Sequence, residues 1–332
     1  MKHKILKKII SMLLTIAMLV GTLQLTLITA FATGDGINQK TTTASVAQPT
    51  ELSGADVIKQ ELAERTPIVK SRTGIKSTSE AAVYKDGVLF DQGGFSSMWN
   101  VAMGLASDVT GDRANDGNKS RNVEYVLNMD FKYDESWFSE GTMTISNKYF
   151  TIDLNGHMIL RDAHGSVVAI IDQRVVTIMD SNPSRAIPGY IFEERYWRPY
   201  GDCSVPLYGG VICGGYLKVD DGGGIMVDGG STLTLTGGNI AGNKADIGSG
   251  IYIGEGCTVD MSRGTAEVCY NYSAGTSSDG GAIFLRPGAT VIGGYVHDNN
   301  ADDYGGGVRA KGDDILVKDV IIASNKAEED GG

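Results

Sequence analysis

The stretch GGGIMVDGGSTLTLTGGNIAGNKADIGSGIYIGEGCTVDMSRGTAEVCYN (Gly222–Asn271) contains one pattern twice. GGGI at 222–225 returns as GSGI at 248–251, and Ile240-x-x-Asn243 returns as Val268-x-x-Asn271. Reading outward, the tetrapeptide recurs as GGAI (280–283) and GGGV (305–308), and Gly331-Gly332 opens another copy. The offsets are 26, 32, 25 and 26 residues. Self-similarity at such a period marks a solenoid. Other columns keep step: Leu233, Val259, Val291 and Leu316 each stand eight residues after the leading aliphatic residue. An aliphatic-x-x-Asn column continues through Val296–Asn299 and Ile322–Asn325. Upstream, GGVICGG (209–215) fits the slot of GGNIAGN (237–243).

Each repeat holds three short β-branched runs and too little apolar surface to fold alone. Stacking repeats at about 4.8 Å pairs every run with its copies above and below. Ile225, Val227, Leu233, Leu235 and Ile240 then point inward, glycines bend the corners, and the Asn column forms an amide ladder. The pattern predicts an all-β protein: a right-handed parallel β-helix of about seven turns from Thr142 onward, within a domain of residues 123–332. The strand-like runs VEYVLNMDFKY, YFTIDL, HMILR, SVVAII and RVVTIMD supply its first turns. Residues 182–208 read as an insertion rich in aromatic residues.

Composition agrees. Glycine accounts for 45 of 332 residues, two thirds of them from Gly201 onward, which excludes a long-helix body there. A net charge of −11 excludes a nucleic-acid partner. Residues 1–32 read as a secretory signal peptide, with Lys2, Lys4, Lys7 and Lys8 before an apolar run and Ala30-Phe31-Ala32 as the cleavage site. Cleavage leaves no membrane span, and the expected location is secreted or at the cell surface. Residues 33–80 read as a flexible polar tether. Residues 81–122 read as an N-terminal cap region with an amphipathic helix over 96–107, whose Met98, Val101, Ala102 and Leu105 share one face. Such a helix would seal the open sheet edge of a solenoid. Gly332 falls two residues into a new turn, so the chain is expected to be truncated and to continue into further C-terminal domains.

The two tetrapeptide columns resemble those of polymorphic membrane proteins of the autotransporter type, which carry GGA-aliphatic and Phe-x-x-Asn repeats on a right-handed parallel β-helix. Gly280-Gly281-Ala282-Ile283 matches the first motif in full, and the second appears with Ile or Val in place of Phe. The resemblance covers about residues 125–332 and implies adhesion or contact with a surface. The same fold also carries pectin lyases and hydrolases.

Four sets of residues are candidates for function. Met226, Tyr252, Phe284 and Arg309 fall on the outer face of the first strand of successive turns, either as an exposed row suited to sugar rings or protein partners or covered by the 182–208 insertion as a side loop. Tyr196 and Trp197 of the insertion join them as ligand-binding candidates. Asp221, Asp246, Asp279, Asp303 and Asp330 precede the glycine doublets and could line up to take Ca²⁺; no other cofactor is expected. Carboxylates such as Asp228, Asp260, Asp298 and Asp302 could pair for hydrolysis, but no lyase, hydrolase or triad signature surrounds them, and His157, His164 and His297 read as turn residues. Cys213 and Cys269 share a column two rungs apart, too far to bond, while the pairing of Cys203 and Cys257 stays open. The leading expectation is a recognition module binding a glycan or a surface protein. The alternatives are a polysaccharide lyase or glycoside hydrolase, and a structural spacer of a larger surface protein.

Overall fold

The computed structural model describes residues 54–107, 123–134, 136–138, 141–145, 149–187, 207–217, 222–274, 280–329 and 331. It is a parallel β-solenoid of about six turns, with two helices among the described residues. One turn runs through Ile225–Val227, Thr232–Leu235, Asn239–Ala241 and Lys244–Ala245 before Ile251–Ile253 opens the next. These four positions build four flanks. Sheet I stacks six strands, from Met143–Ile145 to Val308–Ala310. Sheet II contains the Thr232–Leu235 strand, sheet III the Asn239–Ala241 strand, and sheet IV four two-residue strands. The turn that begins at Val168–Ile170 reaches sheet III only at Val211–Cys213, so the insertion lengthens one rung instead of adding another. The observed count is therefore about six turns rather than about seven.

Register is residue for residue. Ile225 pairs with Ile251, Ile251 with Ile283, and Ile283 with Val308. Ile212, Ile240, Val268, Val296 and Ile322 form one file on sheet III. Leu233, Val259 and Val291 form another on sheet II, and all three are fully buried. Burial of each such side chain contributes about 1.5–3 kcal/mol. One expected position slips. Val291 pairs with Val317, not Leu316, which faces outward beside Thr290. The preceding loop has one extra residue, accommodated by positive φ at Gly312 (124°) and Asp314 (57°).

The Asn column forms the expected ladder. Asn243 Nδ2 donates to Asn271 Oδ1 at 3.0 Å, Asn271 Nδ2 to Asn299 Oδ1 at 3.0 Å, and Asn299 Nδ2 to Asn325 Oδ1 at 2.9 Å. Each amide also donates to backbone carbonyls of its own rung and its neighbour, as Asn271 does to Cys269 and Ile240. The ladder crowds the third residue of the tetrapeptide, which is glycine at 224, 250 and 307 and alanine at 282. A Cβ on Gly250 would lie 3.0 Å from Asn271 Nδ2 and 2.7 Å from Val268.

The first end of the solenoid is closed by antiparallel pairing. Ala81–Lys85 pairs with Val88–Gly93 and with Val123–Leu127, the first strand of sheet II. Asp86 and Gly87, at φ 53° and 78°, make the two-residue turn between the hairpin strands. The capping helix runs from Phe95–Ser107 (called α2; α1 spans Gly54–Glu64). It buries Phe95, Met98, Trp99 and Ala102 over the core, with Val101 and Leu105 partly buried beside them. Glu80 Oε2 accepts the Phe95 N–H at 2.9 Å, satisfying a donor at the start of α2.

The expected signal peptide, residues 1–32, and residues 33–53 of the expected tether lie outside the described residues. Beyond α1, which buries no side chain, the rest of that stretch is held by ion pairs. Arg72 Nε donates to Asp153 Oδ2 at 2.6 Å and Nη1 to Glu124 Oε2 at 2.5 Å, while Lys70 Nζ reaches Glu124 Oε1 at 2.5 Å. Among the described residues, no helix is long and apolar enough to cross a membrane.

Candidate functional site

Strand alternation on sheet I sends every second residue outward. The structure places Met226, Tyr252, Phe284 and Arg309 in one outward file, each paired with the next. Their exposure is not that of an open apolar row. Tyr252 is 8% exposed and Phe284 0%, while Met226 and Arg309 are half-buried. The two rings lie parallel, 3° apart in plane, with centroids at 6.1 Å.

Guanidinium groups cover them. Arg286 lies 5.7 Å from the Tyr252 ring and 5.2 Å from the Phe284 ring, and its Nε donates to the Tyr252 hydroxyl at 3.0 Å. Arg309 lies 5.0 Å over the Tyr304 ring. Its buried Nε has no hydrogen-bond partner among the described residues. Arg286 belongs to this face because alternation continues past the end of Ile283–Leu285. Carrying the period of two one step further along the sequence would have found it.

Tyr196 and Trp197 lie outside the described residues, as does Cys203. The base of their insertion is the antiparallel pair Ala186–Ile187 and Leu207–Tyr208. Ile187 packs with Met158, Leu160, Val211 and Cys213 on the outer face of sheet III. The insertion thus leaves and returns on a different flank from the Tyr252 file. Cys213, Cys257 and Cys269 are buried free thiols, and Ala241 stands between Cys213 and Cys269 in their shared file.

Of the acidic column, Asp221, Asp279 and Asp330 lie outside the described residues. Asp246 is 6% exposed, with an Oδ1 that has no hydrogen-bond partner among the described residues, and Asp303 is half-buried. Neither belongs to a group of three converging donors among the described residues. Of the carboxylates weighed for hydrolysis, Asp302 accepts from the Tyr272 hydroxyl at 2.6 Å, and Asp260 Oδ1 accepts from Ser262 N–H.

A different cluster sits on the outer face of sheet III. Glu267 and Cys269 project from one strand and His297 from the next, in register with Cys269. His297 Nε2 lies 3.2 Å from Glu267 Oε2, and Nδ1 lies 2.8 Å from Asp298 Oδ2. Burial alone would lower the His297 pKa; the Glu267 and Asp298 carboxylates outweigh it and raise it. Burial, with Glu267 and Asp298 adding to it, pushes the Cys269 thiol well above its ordinary range. His297 is thus a strand residue with a built environment, not a turn residue.

Comparisons with protein-family models, with curated proteins and with solved structures return no match for this chain.

Proposed function

We propose that this chain is an extracellular or cell-surface recognition module, and that the outer face of sheet I binds an acidic glycan. One observation carries the reading: Arg286 and Arg309 are held over the rings of Tyr252, Phe284 and Tyr304. Cation–π contact holds each guanidinium fork in a fixed orientation. A fixed fork meets a carboxylate or sulfate with two parallel hydrogen bonds and loses little entropy in doing so. A guanidinium pairs with carboxylate and sulfate groups, so an anionic group is the ligand this pair of arginines would recognise. Met226, half-buried in the same file, offers an apolar edge for a sugar ring. The leader-like N-terminus and the repeats that resemble surface adhesins favour display outside the cell.

The test is a glycan array containing uronate-bearing, sulfated and neutral polysaccharides, probed for retention and for product release. Charge-assisted hydrogen bonds contribute about 1.5–3 kcal/mol. The expected outcome is retention on an acidic glycan, weakened about 10–100-fold by Arg309→Ala or Arg286→Ala. Retention unaffected by both substitutions would refute the assignment to sheet I. Release of shortened or unsaturated sugars would replace recognition by catalysis.

A further inference from the structure

We propose that Glu267, Cys269 and His297 form a binding site for a divalent transition-metal ion of the zinc class. The proposal is independent of glycan recognition and concerns a different flank.

The solenoid itself brings the ligands together. Glu267 and Cys269 are two residues apart on one strand, so both project outward, and register sets His297 directly over Cys269. Their donor atoms, one each of oxygen, sulfur and nitrogen, all lie within 4.8 Å of one another. The Glu267 Oε2 to His297 Nε2 separation of 3.2 Å is close to the bite of a tetrahedral ion. Zinc–nitrogen and zinc–oxygen bonds of about 2.1 Å at a tetrahedral angle place the two ligand atoms roughly 3.4 Å apart.

The surroundings match those of a metal-binding imidazole. Asp298 Oδ2 accepts from His297 Nδ1–H, which fixes the tautomer that leaves Nε2 as the ligand. Asp298 adopts φ 51° at a corner that is left-handed in successive rungs of the file, at Gly214 (82°), Gly242 (68°), Tyr270 (55°) and Ser324 (56°). Aspartate tolerates that conformation better than most residues. The ring is stacked on Tyr295, centroids 3.9 Å apart, and edged by Tyr270 at 5.9 Å. It is therefore oriented before any ion arrives.

The thiol supplies an independent observation. Cys213 and Cys257 each donate to a backbone carbonyl at 3.7 Å. Cys269, fully buried, has no such acceptor among the described residues, and its sulfur belongs to the converging donor set. A sulfur, nitrogen and carboxylate set selects zinc-like ions over calcium or magnesium, which prefer all-oxygen shells. Binding breaks the Cys269 S–H bond and, in the imidazolium form, the His297 Nε2–H bond, forms the metal–sulfur and metal–nitrogen bonds, and releases the protons to solvent. Glu267, Asp298 and the resulting thiolate then carry three negative charges against the positive charge of nearby Arg65, a difference that a divalent cation balances. Three protein ligands leave one tetrahedral position open for water or an incoming ligand.

The experiment uses the full chain, reduced, freed of metal and titrated with Co²⁺. One equivalent is expected to give tetrahedral visible absorption with a thiolate-to-cobalt band in the near ultraviolet. Zn²⁺ should displace it and Ca²⁺ should not. Cys269→Ser should remove the thiolate band, and Asp298→Asn, which takes away the carboxylate against His297 Nδ1, should weaken binding about 10–100-fold. Absence of the band from the reduced full chain, or its persistence in Cys269→Ser, would overturn the proposal. If Cys269→Ser does not fold, Asp298→Asn decides: unchanged affinity in that folded variant counts against the site.

Discussion

The first end of the solenoid and its last described rung treat the same columns differently. At the first end, α2 and an antiparallel hairpin close the core. Trp99 is 8% exposed and meets Tyr125, Phe138 and Phe150 edge-on at 5.3, 5.9 and 5.4 Å. At the last described rung, Val317 and Ile322 are 42% and 43% exposed. Their column mates Val291 and Val296, one rung earlier, are fully buried. Residue type and register match, so what differs is the neighbour on one side. In a solenoid, burial belongs to the stack rather than to the residue, and each rung draws stability from both of its interfaces.

That contrast makes a large mutational prediction. Trp99→Ala opens the sealed end and should cost about 3–5 kcal/mol in chemical denaturation. Ile322→Ala removes a side chain that is already partly solvated and should cost less than about 1 kcal/mol. Equal losses at the two sites would mean that α2 does not seal the core.

The asparagine ladder sharpens the comparison along the axis. Asn271 receives hydrogen bonds from Asn243 and gives one to Asn299, with all three amides buried. Asn271→Ala leaves buried partners on both sides unsatisfied and should cost about 1–3 kcal/mol. Asn325→Ala removes partners from the rung below alone, the acceptor of Asn299 and the donor to the Val296 carbonyl, at a partly exposed position, and should cost measurably less by the same assay. A uniform loss along the column would mean that each rung is stabilised separately.

The sequence made the rungs legible because stacking converts a period of about 25 residues into spatial columns. Ile225, Leu233 and Ile240, the Asn ladder and α2 all follow from that one inference. Leu316 was misplaced because spacing alone cannot show a loop that is one residue longer. The hairpin around Asp86-Gly87 carries a strong turn signal that lies outside the repeats. Arg72 was not legible at all, since its partner Asp153 lies 81 residues away and belongs to no repeat. Alternation placed the Phe284 ring on the outer face but left open what lies above it, and the ring is fully buried. The Glu267–Cys269–His297 cluster was within reach: the column that aligned Cys213 with Cys269 arrives at His297 one rung later. It was missed because histidine was judged singly rather than by column.

Ion pairs give the smallest effect, and again the two ends differ. Burial alone would raise the Glu124 pKa, but hydrogen bonds from Lys70 and Arg72 outweigh it and hold it below the ordinary carboxylate value. A folded-state pKa below the unfolded one contributes stability above the unfolded value, about pH 4.3, and loses it as the pH falls through the folded value. Lys70→Met removes one of the two cations and moves the folded pKa back toward the unfolded one. Part of the acid-side slope in stability should therefore disappear, with a loss at neutral pH below about 1 kcal/mol because Lys70 is partly solvated. At the other end, Lys318 and Asp319 lie 3.9 Å apart with side chains 60% and 73% exposed. Lys318→Met should leave the pH profile of denaturation unchanged, because water and salt already screen that pair. An equal change in both profiles would show that the Glu124 cluster is solvated like the surface, and that Arg72 does not tie residues 65–79 to the solenoid.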